Sequence, residues 1–155
     1  RYREQGRQNM KPLKKTKTAR KARLLPCHRS RLLIVDDEKN VRDLFFKVLA
    51  CDLPDYRVDL AVNGAEAVEN FRQAHHSVIL MDLSMPVMNG ETAFEEIEKV
   101  CQELNWEMPC IIFCTGYDPS QRIRSLVAEN SRHCLLLKPV THACLVEAFK
   151  KRLPG

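Results

Sequence analysis

No stretch of this chain stays apolar for the roughly 18 residues that a membrane-crossing helix needs. Its basic opening is followed by Lys, Arg, Thr and Gln rather than by the apolar core of a signal peptide. Neither G-x-x-x-x-G-K-S/T nor G-x-G-x-x-G occurs, so nucleotide binding by those loops has no support. There is no C-x-x-C pair. The seven cysteines stand at 27, 51, 101, 110, 114, 134 and 144, and the nearest two, Cys110 and Cys114, flank Ile111-Ile112-Phe113. Such spacings argue against a metal or disulfide framework. They suit reduced, mostly buried thiols that pack as small apolar groups, and an odd count in a domain of this size is expected of a reducing, cytoplasmic setting. Internal repeats and low-complexity blocks are also missing.

What is present divides unevenly. The 155 residues suit one domain with a proper core and some extra length. The net charge of +5 averages two unlike regions. Residues 1–30 hold eleven of the twenty-five Lys and Arg with one acid, Glu4, which leaves fourteen basic and nineteen acidic residues for 31–155. The first segment has almost no apolar periodicity and cannot bury enough surface to offset its ordering entropy. It is expected to be a linker or arm, with the folded domain at 31–155. The chain opens on Arg rather than Met, which suits a fragment of a longer protein.

Three apolar runs stop abruptly at a charge: Leu32-Leu33-Ile34-Val35 before Asp36-Asp37, Val78-Ile79-Leu80-Met81 before Asp82, and Leu135-Leu136-Leu137 before Lys138. Runs without polar alternation are how strands buried on both faces of a parallel sheet read. With Tyr56–Ala61 and Cys110–Cys114 they make five strands. Between them lie helical stripes such as Val41, Leu44, Phe45, Val48 and Leu49. Asn63-Gly64 turns into the second helix, Asp118-Pro119 reads as the cap and first residue of the fourth, and Thr141 caps the fifth. Strict alternation predicts an α/β fold, a doubly wound parallel sheet with helices on both faces.

In such sheets ligands gather at the carboxyl ends of the strands. That edge would hold Asp36, Asp37 and Asp82 beside Lys138. Carboxylates about 4 Å apart repel by roughly 4 kcal/mol at an effective dielectric near 20, so a cation is needed among them. Oxygen ligands suit Mg²⁺ or Mn²⁺. A carboxylate can also act as nucleophile toward phosphorus, a transfer that depends on positioning and charge neutralisation.

From residue 31 to about 153 the chain resembles the receiver domain of two-component response regulators. The resemblance rests on Asp36-Asp37, Asp82, Met85-Pro86 with Asn89-Gly90, Thr115-Gly116 and Lys138-Pro139, in order and each after its strand. It implies the flavodoxin-like strand order 2-1-3-4-5 and a cis peptide before Pro139. It implies that Asp82 accepts a phosphoryl group from a phosphohistidine of a sensor histidine kinase or a histidine phosphotransfer protein. Asp37, Asp82 and the backbone carbonyl of Ser84 would bind Mg²⁺ directly, Asp36 through water, and Thr115 and Lys138 would contact phosphoryl oxygens. Such a domain is not an enzyme in isolation, although it promotes its own phosphorylation and dephosphorylation. Its output would pass to an attached domain or a partner, as in the C-terminal receiver of a hybrid histidine kinase or a stand-alone receiver.

One position departs from the pattern. Where many receivers carry Tyr or Phe three residues before the strand-five lysine, this chain has Leu135; Tyr117 is the nearby aromatic. Two other classes compete. A haloacid-dehalogenase-type phosphohydrolase would need D-x-D-x-T/V where this chain has Asp36-Asp37-Glu38-Lys39. Nucleic-acid binding through the basic segment would be salt-sensitive, but Tyr2 is that segment's only aromatic and no recognition motif appears.

Overall fold

The computed structural model describes residues 23–155. Most of the basic segment expected to be a linker therefore lies outside the described residues. Five strands and five helices alternate: β1 His28–Val35, α1 Lys39–Asp52, β2 Arg57–Ala61, α2 Gly64–Ala74, β3 His76–Asp82, α3 Gly90–Leu104, β4 Cys110–Thr115, α4 Gln121–Glu129, β5 Cys134–Leu137 and α5 His142–Lys150. The strands form one parallel sheet in the order 2-1-3-4-5. β3 and β4 are buried at every residue. They lie inside the sheet and under helices on both faces, so no position along them meets water.

Side chains along each strand alternate between two cores. Leu32, Ile34, Val78, Leu80 and Ile112 pack with Phe45 and Leu49 of α1 and Phe149 of α5. Leu33, Val35, Ile79, Met81 and Phe113 face the other way, onto Phe71 of α2, Phe94 and Ile97 of α3 and Ile123 of α4. A one-residue slip in any strand would exchange the two sets, and this fixes the register that aligns the strand ends.

Two boundaries differ from the sequence expectation. β1 starts at His28 rather than Arg31, so the boundary expected after Ser30 falls inside a strand. The cause is a strap formed by residues just before it. The Leu25 amide donates to the Asn105 carbonyl at 2.9 Å, the Glu107 amide donates back to the Leu25 carbonyl at 2.7 Å, and the His28 amide reaches the His75 carbonyl at 2.8 Å. Backbone pairing of this kind leaves no hydrophobic period to read. The fourth helix begins two residues late: Ser120, not Asp118, caps it, its hydroxyl accepting from the Ile123 amide at 3.2 Å. Asp118 is fully exposed and pairs with Arg124 instead. Asn63 caps α2, and Thr141 caps α5 as expected. All seven cysteines are free, but Cys51 and Cys144 are exposed.

Candidate functional site

The carboxyl ends of β1, β3, β4 and β5 converge on one acidic hollow. Asp36 follows β1, Asp82 ends β3, Thr115 ends β4 and Lys138 follows β5. The register carries this: Val35 lies beside Met81, Asp82 beside Cys114, and Thr115 beside Leu137. One oxygen from each of Asp36, Asp37 and Asp82 lies within 4.8 Å of the others. Asp36 and Asp82 are buried and Asp37 is exposed.

Lys138 is the cation nearest this group. Its Nζ donates to Asp36 Oδ2 at 2.8 Å and stands 3.6 Å from Asp82 Oδ2. Burial works against its charge, but the hydrogen bond and field of Asp36, with the field of Asp82, outweigh that and raise its pKa. The other oxygen of Asp36 accepts from the Glu38 amide at 2.9 Å. Asp82 has less support. The Ser84 amide donates to its Oδ1 at 3.2 Å, while burial first, and then the Asp36 carboxylate, push its pKa up to about 6. A hollow in which one lysine faces three carboxylates is short of positive charge.

The surrounding loops fix the position of Asp82. Gly90 opens α3 against β3: its amide donates to the Leu83 carbonyl at 3.1 Å. A Cβ there would run into the Asp82 backbone carbonyl and stand 2.9 Å from Met81 Cγ. Asn89 caps the same helix through the Thr92 amide at 2.9 Å. On the facing side the Thr115 hydroxyl accepts from the Tyr117 amide at 3.1 Å, and the Thr115 carbonyl accepts from the Lys138 amide at 2.8 Å. The Lys138–Pro139 peptide is cis, as expected. Between the two loops lies an open groove of about 410 Å³, lined by Ser84, Met85, Thr115 and Tyr117.

All six residues singled out from sequence thus belong to one neighbourhood, although Ser84 enters it here through its amide. Arg42 was missed. Its Nη1 donates to the Asp36 carbonyl at 2.8 Å and fixes the turn that aims the two aspartates. It lies on the polar side of α1, where a helical stripe carries no information.

Comparison with known proteins agrees with this geometry. The family model for the response regulator receiver domain matches residues 32–150, and the chain belongs to that family. It is 30% identical to the chemotaxis protein CheY of Thermotoga maritima over 122 residues, covering 78% of this chain and 95% of that protein. It is 41% identical over 71 residues to a protein-glutamate methylesterase/protein-glutamine glutaminase of Aliivibrio fischeri, covering 46% of this chain but 19% of that protein. Among solved structures it resembles the response regulator protein TrrA of Thermotoga maritima in complex with Mg(2+)-BeF, with TM-score 0.63, 30% identity, and coverage of 80% of this chain and 99% of that one. It is therefore a phosphoacceptor receiver domain of two-component signalling, with the CheY-like fold. Receivers work with histidine kinases or phosphotransfer proteins and bind Mg²⁺ through an aspartate cluster. No helix among the described residues is long and apolar enough to cross a membrane.

Proposed function

We propose that Asp82 is the phosphoacceptor and that Asp36, Asp37, Thr115 and Lys138 serve its phosphorylation. The observation that carries this reading is the pairing of a buried carboxylate at the end of the central strand with a single lysine 3.6 Å away. An Asp82 oxygen forms a bond to phosphorus as the P–N bond of a donor phosphohistidine breaks, and the imidazole leaves toward its own protein. Lys138 meets a phosphoryl oxygen, and the Thr115 hydroxyl turns from the Tyr117 amide to donate to another. Asp36 holds Lys138 in place from below.

The donor set fits Mg²⁺. Three carboxylates with oxygens within 4.8 Å suit a hard cation that retains some of its waters. Asp37, Asp82 and the Ser84 carbonyl would hold it, with Asp36 acting through water, and Mn²⁺ suits the same ligands. Bound there, the ion neutralises charge on the carboxylates and the incoming phosphoryl group.

The donor is a sensor histidine kinase or a histidine phosphotransfer protein in the cytoplasm. The domain acts by switching a partner or a domain joined to it, and apart from promoting its own phosphorylation and dephosphorylation it has no turnover. The domain serves either as the receiver of a hybrid histidine kinase or as a stand-alone receiver with a basic arm.

Intact-mass analysis after incubation with acetyl phosphate and Mg²⁺ tests the assignment. One base-labile phosphate is expected on the native chain, and none on Asp82→Asn. EDTA should prevent the gain. Undiminished labelling of Asp82→Asn would move the acceptor elsewhere, and labelling that survives EDTA would remove the metal from the reading.

A further inference from the structure

The opposite edge of the sheet carries a second concentration of charge, of the other sign. Arg23, Arg29, Arg132 and Arg152 line one cleft of about 600 Å³ beside the amino-terminal ends of β1, β3 and β4, with Glu107 the one acid on its wall. Ser77 lies in this cleft and Asp82 ends the same strand. Five residues at about 3.3 Å each separate the two sites by roughly 17 Å.

The cleft is held by backbone bonds from two sides. The strap pairing at Leu25 places Arg23 and Arg29, and Asn105 Nδ2 donates to the Arg23 carbonyl at 3.4 Å. Arg132 Nη2 donates to the Met108 carbonyl at 2.9 Å. Arg152 donates from Nε to the Arg132 carbonyl and from Nη1 to the Ala148 carbonyl, both at 3.1 Å. These bonds fix the planes of two guanidinium groups without neutralising them. Glu107 stands 3.5 Å from Arg132 and offsets one charge of the four. Arg23 and Arg29 have no side-chain acceptor among the described residues.

A cleft of this volume is of ligand size. Planar guanidinium forks match the paired oxygens of carboxylate and phosphate alike, and linked phosphates carry more negative charge in the same volume. A surplus of three positive charges calls for a ligand with several negative ones. We propose that this cleft is a second anion site, which takes a ligand bearing linked phosphate groups, either a polyphosphate chain or the phosphate arm of a nucleotide. It is separate from the phosphoacceptor and works without a divalent ion, since its charges are arginines.

Calorimetric titration of residues 1–155 with inorganic tripolyphosphate, in EDTA, tests the proposal. One ion per chain should bind. Arg23→Gln with Arg29→Gln should weaken binding about tenfold or more, which corresponds to about 1.4 kcal/mol; both side chains are exposed, so the fold should persist by circular dichroism. Lys47→Gln with Lys99→Gln removes the same charge at exposed positions outside the cleft and should cost less than about threefold by loss of general attraction alone. Absence of binding, or equal losses in the two double variants, overturns the site in favour of diffuse attraction. ATP separates the two sources: tighter binding than tripolyphosphate supports a nucleotide, and equal binding supports the phosphate chain alone. Because Asp82 and the metal play no part, these results are independent of phosphorylation.

Discussion

The two edges of the sheet are built on the same strands and handle charge in opposite ways. At the carboxyl edge, Asp36 is 2% and Asp82 4% exposed, and both depend on Lys138 for a nearby cation. At the amino edge, the arginines reach the surface and two of them are anchored on carbonyls. Buried like charges retain their repulsion because little water screens them, whereas exposed ones are screened within about 8 Å at physiological salt. The acidic edge therefore responds strongly to one added or removed charge, as a switch requires. The basic edge tolerates its surplus and remains a static surface.

Three substitutions sharpen this contrast. The largest effect is expected from Gly90→Ala. The new methyl group meets the Asp82 backbone, which cannot yield without moving that carboxylate, so a loss of about 3 kcal/mol or more is expected. Phosphate uptake should fall with it, read by denaturant unfolding and intact mass. Next is Lys138→Met, which leaves the buried Asp36 carboxylate without its ion partner and should cost about 3 kcal/mol in EDTA, with Mg²⁺ restoring part. Arg29→Gln, its counterpart at the basic edge, should stay within about 0.5 kcal/mol. Equal costs for Lys138→Met and Arg29→Gln would erase the distinction between a strained edge and a screened one.

The acidic edge was readable in the sequence because each of its charges ends an apolar run, and a run buried on both faces has a recognisable composition. The basic edge was not. Arg23, Arg29, Arg132 and Arg152 are spread over 130 positions and are joined only by tertiary folding. The strap escaped for a related reason: Leu25 is exposed and enters the fold through its amide and carbonyl, which every residue type shares. The same holds for the half-buried network where Asp59 meets Arg31 and His76, at positions that read as ordinary strand polarity. The α4 start was misplaced because Asp-Pro and Pro-Ser both carry cap chemistry, and Ser120 gains a further bond to Glu91 at 3.1 Å.

An effect of another kind, with pH, belongs to the basic edge. His133 is buried, and its Nδ1 accepts from the Ile111 amide at 2.9 Å, which requires the neutral ring. Burial first, then the fields of Arg132 and Arg152, lower its pKa to about 4, against an ordinary 6.5. The unfolded chain protonates this ring below 6.5 while the folded one does not. Its contribution to stability is therefore complete above pH 6.5, declines as pH falls toward 4, and amounts to about 3 kcal/mol at most. His133→Asn offers an acceptor oxygen with no proton to gain, so its stability should vary less over that range. Urea midpoints at pH 7 and 4.5 provide the check, and a variant with the native slope would show that another group is responsible.

The smallest effect expected is on chemistry, from Leu135→Tyr. Leu135 lies beside Phe113 in the sheet and packs toward the core shared by α2, α3 and α4. The reacting groups lie past the carboxyl end of its strand, where Leu137, paired with Thr115, is followed by Lys138. An added phenol at 135 touches none of them, so acetyl phosphate should label Asp82 within about twofold of the native rate, a difference under 0.5 kcal/mol. What should change is the response beyond the site. In the native chain Tyr117 is 76% exposed and is joined to Thr115 through its amide, so movement of the Thr115 hydroxyl toward a phosphoryl group frees that amide without moving a buried ring. Hydrogen exchange with beryllofluoride should therefore show a modest change centred on 115–120 in the native chain. In Leu135→Tyr the change should spread along β5 and α4. If the substitution abolished labelling instead, the separation between reacting groups and signal path would be wrong, and Leu135 would belong to the site itself.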